Sequence, residues 1–159
     1  MTDAILAMLP HLGHQAVFGA IAAAGFGVLF NFGWRALFWC AVAGALALAV
    51  RTFGQSQGAS LEAATFAAAA ITSCAAILCR RWLGVACHGI ALAGCIPMVP
   101  GAFFGQALLG FMSVSSLSAE QSVTTVISSL QAGLRVVATV GAIGAGLTIP
   151  AYLLRSREF

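Results

Sequence analysis

Of 159 residues, 61% are hydrophobic and 7% charged, with a formal net charge of +3 and a mean hydropathy of +1.02. A soluble domain draws roughly a quarter of its residues from Asp, Glu, Lys and Arg, so this composition excludes a water-facing globular fold and indicates an all-α integral membrane protein. All seven basic residues are arginines, set singly or in pairs between apolar runs, which is not the basic stripe that nucleic acid requires.

No Lys or Arg precedes the first apolar run, so the basic n-region of a cleaved leader is missing and the N-terminus is expected to stay on the protein. A helical crossing needs about 20 mostly apolar residues, with about 17 tolerated. Charged and loop-forming residues cut the chain into candidate spans at about 15–32, 36–52, 61–79, 82–99 and 123–154, with a half-helix at about 101–113, all in one transmembrane domain over 1–159. Ser60 is placed to cap the third helix, with Glu62 in its first turn. The stretch 101–113 is too short to cross alone. The last segment, 123–154, is too long: at about 1.5 Å per residue it reaches close to 50 Å, against a hydrocarbon core of about 30 Å. Its second half, from about Ala132, is the expected crossing. Five crossings put the termini on opposite sides. With the N-terminus outside and the C-terminus cytoplasmic, Arg35, Arg80, Arg81, Arg155 and Arg157 fall inside, and Arg51 and Arg135 outside.

The fourth segment carries the oddity of the chain, "IPMVPGAFFG" at 96–105. Pro97 and Pro100 each remove a helical hydrogen bond and turn the preceding residue away from helix, while Gly101 permits turns closed to other residues. Broken backbone at membrane depth is tolerated where it is buried in protein or lines a wet cavity. Freed carbonyls and amides beside half-helix ends suit a small polar or anionic solute, so Pro97, Pro100 and Gly101 are candidate binding residues; the alternative is a plain kink. Asn31, at the end of the first apolar run, either contacts a solute or caps a helix. Arg135 is the one charge within the last apolar segment, on a face with Gln121, Thr125 and Ser128 and opposite Val123, Ile127, Leu130 and Leu134. It either attracts a carboxylate or snorkels at the outer interface.

His88 beside Cys87, with Cys95 on nearly the same face, has no second histidine in another span, and Cys74 and Cys79 point to different faces; no metal or cofactor is expected. The five cysteines read as small hydrophobes. Asp3 is the only aspartate and no Gly-x-Ser-x-Gly motif occurs, so an intramembrane hydrolase is not expected, nor any other enzyme. "GAFFG" and "GAIGAG" are close-packing signals between helices.

"LFNFGWRALFWCAVAG", "IPMVPG" and "GAGLTIP" together resemble the small, YjjB-type membrane subunit of the threonine/serine exporter (ThrE) family, in order along nearly the whole chain. The chain departs from the family pattern at Gly33, where a proline is usual, and at Ala102, Phe103 and Phe104, where a hydroxyl residue and a tyrosine are frequent. The resemblance implies one half of a two-half exporter in a bacterial inner membrane. Its partner would be a larger ThrE-family subunit with a cytoplasmic region, or a second copy of the chain. Its solutes would be threonine and serine, or a dicarboxylate such as succinate. Alternating access at a site near Pro97 to Gly101, driven by a proton gradient, follows as the expected mechanism. A subunit that only completes another protein's helical bundle is the competing expectation.

Overall fold

The computed structural model describes residues 2–80, 87–114 and 119–155. Six α-helices account for nearly all of them: α1 (Thr2–Leu29), α2 (Trp34–Ser56), α3 (Leu61–Leu78), α4 (Cys87–Cys95), α5 (Gly101–Ser113) and α6 (Ala119–Arg155), with a 3-10 turn over Ile96–Met98. The expected start of the fourth span at Trp82, together with Arg81, the loop residues 115–118 and Arg157, lies outside the described residues. Four helices are long and apolar enough to cross a membrane, and α4 with its turn plus α5 makes a fifth, broken crossing. The fold is therefore all-helical with a break in its fourth segment.

Helix ends are set by local chemistry more than by the charges that flank the apolar runs. At the end of α1 the Asn31 N–H donates to the Val28 carbonyl and the Phe32 N–H to the Gly27 carbonyl, with Asn31 at φ +56°. That is a Schellman cap with Asn31 in the left-handed position. The same two-bond pattern closes α2, where Gly58 donates to Gln55 and Ala59 to Gly54, with Gly58 at φ +85°. Helix α2 consequently runs past Arg51 to Ser56, beyond the expected end near residue 52, because one arginine does not stop a helix and a glycine cap does. Ser60 Oγ accepts the Ala63 N–H at the start of α3, with Glu62 in the first turn. Helix α6 has 37 residues and carries Pro150 inside it; at about 1.5 Å per residue it is longer than one crossing requires.

The chain divides into two compact units, residues 1–98 with 142–159, and residues 99–141. In the first, α2 packs against α1, α3 and α4. Its core is built of small side chains, Cys40, Ala43, Ala47, Ala68, Ala69 and Cys95, around the fully buried Met98. Lipid offers no hydrophobic drive for helix pairing, so close backbone approach supplies the contact energy. A Cβ on Gly44 would meet the Gly19 carbonyl and the Ala23 side chain, and one on Gly94 would meet Ala43. The end of α6 closes on α3, where Ser73 Oγ donates to the Leu147 carbonyl at 2.9 Å. Larger apolar side chains such as Phe18, Ile21, Leu29, Phe38 and Ile71 point outward, as a lipid-facing surface demands.

The second unit is an antiparallel hairpin of α5 and the first part of α6. Gly110 faces Ser129, Ala107 faces Gly133 and Phe103 faces Arg135. The close approach is at Gly110, whereas Gly101 and Gly105 of "GAFFG" have no neighbour within 4 Å of an added Cβ. Neither glycine of that motif serves a close helix contact among the described residues.

Candidate functional site

Two polar features stand out among the described residues, one in each unit. The first is the end of the broken segment. Pro97 lies half-buried in the 3-10 turn and Met98 is fully buried. The Met98 carbonyl accepts a hydrogen bond of 2.9 Å from Nη1 of Arg51 on α2, a residue half-buried five positions before the end of that helix. A guanidinium thus serves a carbonyl at the end of the break.

Past Met98 the backbone makes a second turn. Pro100 has φ −81° and ψ 70°, and the Gly101 N–H donates to the Val99 carbonyl at 2.9 Å. This is an inverse γ-turn, the conformation in which the central residue sits near φ −75° and ψ +65°, and proline's fixed φ suits its centre. Gly101 opens α5 without a positive φ and with open space around it. The turn is made by Pro100, so the special freedom expected of Gly101 is not used.

The second place is a recess of about 500 Å³ on the α5–α6 hairpin, lined by Phe103, Gln106, Ser128, Gln131 and Arg135 among others. Its size falls within the roughly 300–1,000 Å³ of small-molecule sites. Spacing explains the convergence: Ser128, Gln131 and Arg135 stand at i, i+3 and i+7 on α6, and Phe103 and Gln106 at i and i+3 on α5. The Arg135 guanidinium carbon lies 5.3 Å from the centre of the Phe103 ring, a cation–π contact that holds the charge without neutralising it. Thr139 Oγ1 donates to the Arg135 carbonyl at 2.7 Å, which ties the local backbone.

Of the residues expected at a site, Pro97 and Pro100 shape the break and Arg135 lines the recess. Asn31 belongs to neither. It precedes α2 by three residues, and Arg51, which bonds Met98, lies 17 residues along that helix from Trp34, roughly 25 Å at 1.5 Å per residue. Its backbone geometry is that of a cap. Sequence reading missed Gln106, Gln131 and Arg51. The two glutamines were legible as helical neighbours of Phe103, Ser128 and Arg135, while Arg51 stood out only as a charge ending an apolar run. His88 is exposed on α4, whereas Cys87 and Cys95 are buried, and no group of metal ligands forms among the described residues. A small void of about 60 Å³ among Trp39, Leu46, Thr72 and Ile90 is almost wholly apolar.

A set of long apolar helices with one broken crossing defines a multi-pass membrane protein. The family model described as threonine/serine exporter, ThrE, matches residues 15–153. The chain belongs to that family, whose members are transporters of small molecules within the lipid bilayer. No solved structure matches the chain.

Proposed function

We propose that the chain is one half of an exporter that moves threonine and serine, or a related small carboxylate such as succinate, out of the cell by alternating access, driven by the proton gradient. The observation that carries this reading is Arg135 in the α5–α6 recess. Its guanidinium is steadied by a ring and pairs with no acid among the described residues, so its charge stays available to a carboxylate. Gln106, Gln131 and Ser128 around it offer the neutral donors and acceptors that an ammonium and a hydroxyl need. Pro97 and Pro100 supply the break about which the fourth segment rearranges. A bacterial inner membrane with the C-terminus cytoplasmic, and a partner that is a larger family subunit or a second copy, complete the proposal.

Counterflow in proteoliposomes tests it, with vesicles holding this chain alone or with a larger family member and loaded with serine, threonine or succinate. Labelled serine or threonine is expected to accumulate, and Arg135→Gln is expected to lower kcat/KM by roughly tenfold or more, the value of one hydrogen bond to a charged group. Folded protein that moves none of the three solutes, alone or paired, overturns the reading.

A further inference from the structure

Arg51 is the least expected charge in the fold. It follows the apolar run "AGALALAV" on α2 and lies half-buried, yet its acceptor among the described residues is the neutral Met98 carbonyl. Glu62, the acid whose side chain is described, forms no ion pair with it among the described residues. A half-buried cation that pairs with no acid among the described residues is favoured by a counter-charge. A guanidinium also carries five N–H donors in a fixed fork, and a single carbonyl occupies one of them.

The geometry points to Arg51 as an oxyanion-binding residue whose ligand is the carboxylate of the transported solute, a second carboxylate position besides the recess at Arg135. This inference rests on the carboxylate-export reading above. A carboxylate accepts the two parallel N–H bonds of the fork and so outcompetes a neutral carbonyl for it. Binding then draws the guanidinium from Met98 and leaves the carbonyl at the end of the break without its donor. Because the ligand stabilises the released state more than the bonded one, it shifts the equilibrium of the break itself. An anionic lipid headgroup offers the same oxyanion chemistry, and the test separates the two sources.

The experiment is arginine side-chain NMR on the full chain, labelled with 15N-arginine, in nanodiscs of zwitterionic lipid, with the Arg51 signal assigned by its loss in Arg51→Lys. Titration with serine or threonine is expected to move the Arg51 Nε–H signal to saturation, and ethanolamine, which is serine without its carboxylate, is expected to leave it in place. In counterflow, Arg51→Lys keeps a donor for Met98 but loses the fork, and the apparent KM for serine is expected to rise roughly tenfold or more. An Arg51 signal that ignores serine overturns the inference. A signal that moves only when anionic lipid replaces zwitterionic lipid overturns it in favour of a headgroup. If no solute crosses yet Arg51 still answers to serine, the export reading falls and the site stands; if serine crosses while Arg51 stays silent, the site alone falls.

Discussion

Asn31 and Gly101 show how differently two turn residues are used. Asn31 holds a left-handed conformation, φ +56°, that costs an ordinary L-residue roughly 1–2 kcal/mol and that Asn and Gly tolerate. Replacing it by Gly is therefore expected to leave stability unchanged, and replacing it by Val to cost about that amount. In a protein of this size the loss corresponds to a fall in Tm of roughly 2–8 °C, read by thermal unfolding in detergent. A solute-binding role would instead make Asn31→Gly lose transport at unchanged Tm. Gly101 has neither a positive φ nor a crowded Cβ position, so Gly101→Ala is expected to preserve both Tm and counterflow. At Pro100, by contrast, alanine would lose the preset φ of the inverse γ-turn.

At the scale of elements, small residues decide how the helices meet, and what each glycine faces decides how costly its loss is. A Cβ on Gly44 would strike the Gly19 carbonyl and the Ala23 Cβ, both fixed to backbone, whereas one on Gly110 would strike the Ser129 side chain. Gly44→Ala is therefore expected to force the α1–α2 crossing apart at a cost of about 1–3 kcal/mol or more. Gly110→Ala is expected to be milder and to be rescued by Ser129→Ala, because Ser129 Oγ gives up only a bond to its own helix, at the Thr125 carbonyl. Denaturation midpoints of the single and double variants check the contrast. The helices themselves were legible in sequence because lipid demands long apolar runs with internally satisfied backbone, and the Pro97–Pro100 pair announced the break. Which glycine touches which helix was only partly legible: Gly146 of "GAIGAG" does close on Phe66 and Ala69 of α3, but "GAFFG" lies open, while Gly44 and Gly110, in no conspicuous motif, make further close contacts. The recess was half legible, since Ser128 and Arg135 share a helical face by counting, but Phe103 and Gln106 join them through the hairpin. Arg51 looked like an end-of-span marker because a sequence does not show that α2 continues past it or that a broken carbonyl lies opposite.

For the whole molecule, orientation and partnership are one question. Helices α2 and α3 are packed neighbours joined by the short turn after Ser56, so the α1–α2 turn with Arg35 and the end of α3 with Arg80 lie on the same side. Arg51 stands nearer the opposite side, but it is half-buried and bonded to Met98, which weakens it as a surface charge, so the positive-inside rule supports the proposed orientation with Arg35 and Arg80 on the cytoplasmic side. A chain with such a bias inserts in one orientation, and an inverted companion half must then be a different protein. A chain without it inserts both ways and supplies its own inverted partner. Single cysteines at Gly33 and Gln57, in a variant whose Cys40, Cys74, Cys79, Cys87 and Cys95 are replaced by Ala, distinguish these in intact cells with a membrane-impermeant maleimide. Gly33 has free space around it and Gln57 is exposed past the end of α2, so both sites accept the probe. Gln57→Cys is expected to be labelled from outside and Gly33→Cys only after lysis, the outcome that agrees with a companion half that is a different protein, such as the proposed larger family subunit. Labelling of both positions in intact cells would show two orientations and make this chain, in inverted copies, its own partner.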